Sequence, residues 1–281
     1  MPAGPLPARN PFAKVPVTKT RLRSPAIGAS PPQDRIEALL NDFGPQLQVG
    51  EALRSAQKQR GDSDRHSSGI EAIDELLGGG FPPGELAEIT GPVSSGRTSL
   101  LLALLTATTT GGGDGARGAE LAALVDTPDA FDPPSAQAAG VDLRRVLWAR
   151  VAAWNEAMRC TERLLETEGL PLVVLDLARG AGSGSRTRSE PAIPPSAWKR
   201  LARRAATTRT VLVVLSHQRQ AGGEARVVLE LEPARALFNG SPPLLEEIET
   251  RALLVRNRGG SSGRSTLIRL GGAFRSAQSP G

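Results

Sequence analysis

The stretch Gly91-Pro92-Val93-Ser94-Ser95-Gly96-Arg97-Thr98 decides how the rest of this sequence is interpreted. It matches the phosphate-binding pattern G-x-x-x-x-G-K-[ST], except that Arg97 stands at the lysine position. The strand-like ELAEIT at 85–90 precedes it, and the apolar, helix-like TSLLLALLTATTT follows it. In that context, backbone N–H groups and a helix N-terminus can surround a phosphate. The residues predicted to bind nucleotide here are Gly91, Ser94, Ser95, Gly96, Arg97, Thr98 and Ser99.

A second signal lies in LVVLD at 172–176, where a run of apolar, β-branched residues ends in Asp176. In phosphate-loop NTPases a carboxylate at the end of such a strand orients Mg²⁺. We therefore predict that Thr98 and Asp176 are magnesium ligands when a nucleotide is bound, with ATP and Mg²⁺ as candidate cofactors. Arg97 alters the geometry of this site, because arginine is larger, planar and forked where lysine is a compact charge.

Strand-like and helix-like segments alternate after residue 67, and a run of strand-like segments follows residue 210. Alternation of this kind predicts an α/β fold with a mainly parallel sheet, antiparallel edge strands and flanking helices. The predicted strands are 85–90, 121–126, 145–151, 172–176, 210–216, 226–232, 250–258 and 265–270. The predicted helices are 34–47, 68–77, 98–110, 133–140, 155–168 and 195–207.

Composition bounds the class of protein. The chain has 281 residues, is 39% hydrophobic and has no run of apolar residues long enough to cross a membrane. The N-terminus lacks the apolar core of a secretory signal, so we expect a cytoplasmic protein without membrane contact. A lone cysteine, Cys160, and two histidines do not make a zinc site. Tyrosine is absent and aromatic residues are 3%, which disfavours a base-stacking surface.

The basic charge is concentrated at one end. The net charge is +5, and residues 1–33 contain five basic and no acidic residues, so residues 34–281 sum to zero. We divide the chain into a disordered basic arm at 1–33, a helix and linker at 34–60, a core at 61–271 and a tail at 272–281. Two interpretations of the arm stay open: a solvated tail without a role, and a docking segment for nucleic acid or a partner protein.

Several of these stretches, taken together, resemble the bacterial RecA family. SSGIEAIDELLGGGFPPGELAEITGPVSSGRTSL is similar to the RecA helix, strand and phosphate loop, and LVDTPDAFDPPSAQAAGVDLRRVLW to the next strand, helix and strand. LVVLDL and TVLVVLSHQR match two further strands of that core. The likeness covers residues 34–270, lacks the RecA C-terminal lobe, and is closest to the ImuA branch of mutagenesis accessory proteins. It implies a RecA-like phosphate-loop core.

The departures from RecA are as informative as the matches. Where RecA has the glutamate that activates water, this chain has Pro128, with Asp129 one place later. Ser135 stands where RecA stacks a tyrosine on adenine. His217 stands at the glutamine that senses the γ-phosphate. The resemblance therefore implies that Asp129, His217 and Arg219 are the remaining sensor or coupling candidates and that hydrolysis is absent or very slow.

The resemblance to ImuA implies a non-catalytic adaptor in the DNA-damage response, supporting SOS translesion mutagenesis. Its implied partners are RecA, an ImuB-like protein and an error-prone polymerase, contacted through the arm or the helix at 34–47. The alternative is an ATP-dependent RecA-type recombinase with a modified site. A third hypothesis is a regulator that binds ATP without hydrolysing it. Single-stranded DNA is a further candidate partner.

The loop at 178–195 carries the candidates for DNA contact, Arg179, Arg186 and Arg188, among glycine and serine. A connector without a role explains this loop as well. Cys160 lies in a helical, partly apolar segment, and we predict a core residue rather than a nucleophile. Core or interface positions are the simplest interpretation of the three tryptophans, Trp148, Trp154 and Trp198. His66 and His217 have no serine or aspartate arrangement that suggests a catalytic triad.

Overall fold

A computed structural model describes residues 65–112, 118–178, 193–240 and 244–271. Several predictions fall outside the described residues: the arm at 1–33, the helix at 34–47 with its linker, the candidates for DNA contact Arg179, Arg186 and Arg188, and the tail at 272–281. The predicted boundaries of these segments therefore stay predictions.

A mixed sheet forms the centre of the described part of the chain. Its order is β3-β2-β4-β5-β1-β6-β8-β7, and β9 pairs with β8. The first six strands in this order are parallel, whereas β8 runs antiparallel to β6, β7 and β9. The predicted α/β fold with antiparallel edge strands is confirmed. The strands are β1 (Leu86–Thr90), β2 (Ala122–Asp126), β3 (Val146–Arg150), β4 (Leu172–Asp176), β5 (Val211–Ser216), β6 (Val227–Leu231), β7 (Arg235–Asn239), β8 (Leu244–Asn257) and β9 (Arg264–Gly271).

Helices cover both faces of this sheet. They are α1 (Glu71–Leu77), α2 (Arg97–Thr110), α3 (Pro133–Ala138), α4 (Trp154–Leu165) and α5 (Pro195–Thr208). One buried apolar cluster contains residues of α1 and α2, and a second contains residues of α4 and α5. Successive β1 side chains alternate between the clusters: Leu86 belongs to the second, and Ala87 and Ile89 to the first. The central strands are buried on both faces, which explains their nearly continuous apolar sequence.

The antiparallel edge differs most from the sequence-based expectation. Strand β8 begins at Leu244 rather than near residue 250, and β7 was not predicted. The two strands pair from Arg235–Glu249 to Asn239–Leu244, with an irregularity between Leu237 and Phe238. Alternation of apolar and polar residues is the signal for a half-buried strand. This alternation is weak in β7 and at the start of β8, because apolar residues there, Phe238 and Leu245, lie on exposed rather than buried positions.

Candidate nucleotide-binding site

The phosphate loop connects β1 to α2 in the geometry that the sequence predicts. Gly96 caps α2 with φ 92°, a left-handed conformation that favours glycine. A Cβ atom on Gly96 would lie 2.6 Å from Leu270 Cδ1, and one on Gly91 would lie 2.7 Å from the Leu231 carbonyl oxygen. Close packing therefore requires glycine at both positions, against β6 at Gly91 and against β9 at Gly96, and backbone conformation requires it at Gly96 as well.

Two serines shape the inside of the loop. Ser94 has φ 60°, and its carbonyl accepts the Ala234 N–H at 3.2 Å, which joins the loop to the segment before β7. Ser95 is 1% exposed, and its hydroxyl has no hydrogen-bond partner among the described residues. A buried hydroxyl without a partner is costly, and an added acceptor would remove that cost. The Ser95 hydroxyl points into the loop, since a Cβ on Gly91 would lie 2.6 Å from its Oγ.

Thr98 and Asp176 both line a cavity of about 160 Å³ at the carboxyl ends of the strands. Asp176 Oδ1 accepts the Ala178 N–H at 2.8 Å. Burial raises the pKa of Asp176 to about 7, and the negative charge of Asp126 adds to this rise, while the Ala178 N–H and Arg97 oppose it. Protonated and ionised forms of Asp176 are therefore both present near neutral pH.

Arg97 does not extend freely over the loop. Its Nη2 donates to His217 Nδ1 at 3.1 Å, although the two residues are 120 positions apart. Because a guanidinium is a donor only, this bond requires His217 Nδ1 to be unprotonated. Arg97, at the phosphate-clamp position of the RecA pattern, is therefore in contact with His217. His217 stands at the position of the γ-phosphate sensor.

The loop after β5 has a second attachment, to Glu88 in β1. Glu88 is 1% exposed, and its Oε1 accepts the backbone N–H groups of Gln220 and of Ala221, the latter at 3.1 Å. Burial raises the pKa of Glu88, while the two N–H groups and nearby Arg219 oppose the rise. The segment 217–221 is thus held at both ends by residues that flank the phosphate loop in sequence. This attachment was missed, although an acidic residue between apolar neighbours in a strand is a recognisable signal.

The corner after β2 is organised by Asp126, which is 2% exposed. Its carboxylate accepts the N–H groups of Ala130 at 3.2 Å and Phe131 at 3.0 Å, and the indole N–H of Trp148 at 3.2 Å. Phe131 packs edge-on against Trp148 with ring centroids 5.2 Å apart, and it also lines the cavity beside Thr98. The fully bonded Asp126 has a structural role, and Phe131 is a cavity aromatic that sequence reasoning missed.

Asp129, the candidate replacement for the water-activating glutamate, is engaged elsewhere. Both of its oxygens accept hydrogen bonds of 2.6 Å from the Arg150 guanidinium. These bonds hold the pKa of Asp129 below its usual range. Asp129 is exposed and has φ 55°, in the left-handed region. A carboxylate with a lowered pKa in a two-point ion pair is a poor general base.

The remaining candidate residues lie outside the phosphate loop. Ser135 lies in the first turn of α3, where its N–H and its hydroxyl both bond Asp132. Arg219 forms an ion pair with Glu230 at 3.3 Å. His66 is buried, with its Nε2 2.8 Å from Thr108 Oγ1. Burial raises the pKa of the Cys160 thiol, which fits a core position rather than a nucleophile.

Two further features are absent from the described ranges of the chain. Within residues 65–112, 118–178, 193–240 and 244–271, no cluster of three or more histidine, cysteine, aspartate or glutamate side chains could hold a metal ion. No helix within the same ranges is both long enough and apolar enough to span a membrane. Any metal at this site would therefore rely on Thr98, Asp176 and the phosphates of a ligand.

A parallel core, a strand–loop–helix phosphate cradle and a strand-end aspartate define a phosphate-loop α/β protein. The model of the RecA N-terminal domain family matches residues 34–182, more than half of the chain. This chain therefore belongs to the RecA family.

Individual relatives agree with this assignment. The chain is 32% identical over 144 residues to DNA repair protein recA homolog 1 of Arabidopsis thaliana chloroplasts, covering 51% of this chain and 31% of that protein. It is also 32% identical over 144 residues to Protein RecA of Trichodesmium erythraeum, covering 51% of this chain and 38% of that protein. The chain thus spans about a third of the length of these relatives.

A solved structure supports the fold independently. The crystal structure of the RadB recombinase superposes with a TM-score of 0.54 and 21% identity, covering 73% of this chain and 95% of that one. At this identity the likeness shows the fold alone. The antiparallel strands at the end of the sheet lie beyond residue 182, where the family match ends.

Proposed function

We propose that this chain is a RecA-like adaptor in the DNA-damage response, which acts through protein contacts rather than through ATP hydrolysis. Membership of the RecA family and a relative named as a DNA repair protein support a role in repair or recombination. The proposed partners are RecA, an ImuB-like protein and an error-prone polymerase in SOS translesion synthesis. The cytoplasm is the proposed location.

The observation that carries this proposal is the hydrogen bond between Arg97 and His217. In a phosphate-loop enzyme the loop cation contacts the β and γ phosphates, so that it responds to the nucleotide. Here the loop cation contacts a protein side chain instead, and Glu88 fixes the same segment from its other end. Side chains of the protein thus hold the segment 217–221 at both ends, which suits a protein that presents a constant surface to its partners.

The remaining hydrolysis machinery supports the same conclusion. Pro128 has no side-chain base, and Asp129 next to it is paired with Arg150. Loss of a general base commonly costs about two to four orders of magnitude in rate. An altered phosphate clamp costs a comparable factor, because the charge that develops on the phosphates is then less stabilised.

The test is ATP hydrolysis by the full chain, with and without single-stranded DNA, beside an Asp176→Ala control. We expect no turnover above that of the control. Turnover of about one per second that the substitution abolishes would refute the non-catalytic assignment. A pull-down with RecA and the ImuB-like protein tests the adaptor role separately, since capture of neither would remove its basis.

The alternative is an ATP-dependent RecA-type recombinase, and the phosphate cradle favours it. Gly91, Gly96, the orphaned Ser95 hydroxyl and the exposed Thr98 are arranged around the start of α2. Such a cradle can bind phosphate whether or not hydrolysis follows. DNA-stimulated hydrolysis in the same assay would support this alternative, and nucleotide binding without turnover would leave a nucleotide-binding regulator.

A further inference from the structure

We propose that the phosphate loop binds a nucleoside diphosphate in preference to the triphosphate, and without Mg²⁺, because Arg97 held on His217 occupies the side where a terminal phosphate and its metal would lie. This inference rests on the proposed function in one respect, since it names the ligand class of the same site in a protein that does not hydrolyse ATP.

The cradle retains what a diphosphate needs. Helix α2 has 14 residues, and its N-terminus opens on the loop at Gly96. The Ser95 hydroxyl is buried at 1% exposure, points toward Gly91, and lacks a partner within the described residues. An anion within reach of this hydroxyl and of the helix N-terminus would satisfy both. Backbone N–H groups of such a loop contact the α and β phosphates rather than the γ phosphate.

Arg97 changes the region beyond the β phosphate. In the ordinary motif a lysine extends to the β and γ phosphates. Arg97 is half-buried and instead runs from the start of α2 to His217, directly after the end of β5. Strand β5 lies between β1, which carries the phosphate loop, and β4, which carries Asp176. The bond to His217 therefore places the guanidinium on the β5 side of the cradle, toward the strand that carries Asp176, where Thr98 and Asp176 would hold the metal of a triphosphate.

The carboxylates at the site do not favour a metal. Asp126 accepts hydrogen bonds from the N–H groups of Ala130, Phe131 and Trp148. Asp176, which lines the same cavity, accepts the Ala178 N–H at 2.8 Å. Both carboxylates are therefore already bonded to N–H groups of the protein rather than held open for a cation. A triphosphate would enter this site without the metal that normally neutralises it.

Admission of a γ phosphate would require Arg97 to leave His217. That exchange breaks one hydrogen bond to the protein, and the planar guanidinium must find new geometry in a space suited to a smaller group. We expect the diphosphate to bind about tenfold more tightly than the triphosphate, which corresponds to the net contribution of one such bond.

The experiment is titration calorimetry of the full chain with ADP, ATP and AMP, each with excess Mg²⁺ and again with EDTA. We expect ADP to bind about tenfold more tightly than ATP, with the same affinity in Mg²⁺ and in EDTA. We expect AMP to bind more weakly than ADP, since it lacks the β phosphate. Equal or tighter binding of ATP in Mg²⁺ would overturn the proposal.

Two variants locate the preference. Arg97→Lys removes the contact with His217 and restores the ordinary loop cation, so the preference should shift toward ATP with Mg²⁺. Arg204→Lys makes the same chemical change on α5, where Arg204 pairs with Glu162 and Glu166, and should leave the preference unaltered. An unchanged preference in Arg97→Lys would overturn the role given to Arg97.

The proposal and the proposed function fail by different results. If no nucleotide binds in any condition, the diphosphate proposal is overturned while the adaptor remains. If ADP is preferred but ATP is also hydrolysed at a rate that Asp176→Ala abolishes, the adaptor assignment is overturned while the ligand preference remains. Melting temperatures of all variants exclude unfolding as the source of lost binding.

Discussion

Asp176 at the end of β4 and Asp129 in the turn after β2 lie at the same edge of the sheet in opposite environments. Burial raises the pKa of Asp176 to about 7. Asp129 is exposed, and its two hydrogen bonds with Arg150 lower its pKa. Two aspartates on adjacent strand ends therefore differ in protonation at neutral pH because burial acts on one and an ion pair on the other.

This difference separates resemblance in sequence from equivalence in chemistry. Hydrolysis of a triphosphate needs an ionised metal ligand and a base that is free to accept a proton. Asp176, the predicted ligand, retains its proton part of the time, and Asp129 is ionised but is bonded to Arg150. Asp176 therefore lacks full ionisation, and Asp129 lacks the freedom to accept a proton.

A third carboxylate, Glu88, provides the largest expected effect. It is more deeply buried than Asp176, and its Oε1 accepts two backbone N–H groups, from Gln220 and Ala221. Glu88→Ala would leave two N–H groups without their acceptor in a buried site, each costing about 1 kcal/mol or more. We expect the free energy of unfolding to fall by about 2 kcal/mol in urea denaturation, because this loss exceeds the relief of removing a buried charge.

The matched variant is Glu88→Gln, which keeps the size of the side chain and one acceptor oxygen while removing the charge. We expect it to lie within about 1 kcal/mol of the native chain at pH 8. Glu85→Ala serves as the surface control, since Glu85 pairs with Arg226 at 3.1 Å in a half-exposed position. If Glu88→Ala costs no more than Glu85→Ala, the attachment of segment 217–221 to β1 contributes nothing to stability.

Asp176→Asn tests the half-buried carboxylate at the end of β4. The folded pKa of Asp176 is about 7 against an unfolded value of 3.8, so the native state binds more protons between these pH values. Stability from this group is therefore complete below the unfolded pKa and is lost as pH rises through about 7. Asp176→Asn cannot ionise, and we expect it to raise the free energy of unfolding by about 1–2 kcal/mol at pH 8, less than the full pKa shift implies because water reaches the half-buried side chain.

The measurement is urea denaturation of both chains from pH 5 to pH 8. The difference between them should be small at pH 5 and should grow as pH rises. A difference that is the same at every pH would show that Asp176 is ionised throughout, and the contrast with Asp129 would then disappear.

How much the sequence could predict depends on the distance over which an interaction acts. The β-branched runs and the glycine turn at 91–96 are local, and they predicted the parallel core and the phosphate loop, both of which the structure contains. The bonds of Arg97 to His217 and of Glu88 to Gln220 join residues more than 100 positions apart. No local pattern encodes such pairs, because they arise only when β1 and β5 become neighbours in the sheet.

Within the site, the sequence predicted which positions the candidate residues occupy, but not their protonation states or hydrogen-bond partners. Asp129 was recognised as the carboxylate nearest the missing glutamate, but its pairing with Arg150 depends on the register of β2 against β3. Strand β7 was missed for a different reason. Its side chains are largely exposed, so they lack the apolar alternation by which a half-buried strand is recognised.

The smallest effect is expected for the exposed pair itself. Asp129 and Arg150 are 55% and 61% exposed as side chains, and water and salt screen their attraction. We expect Asp129→Asn, which tolerates the left-handed backbone at this position, Arg150→Ala and the double variant each to lie close to the native free energy of unfolding in urea denaturation. ATP turnover should remain absent in Arg150→Ala, because freeing Asp129 supplies a base but leaves Arg97 on His217. Appearance of turnover in Arg150→Ala would instead show that the ion pair alone restrains hydrolysis, and that Asp176 serves as a metal ligand despite its raised pKa.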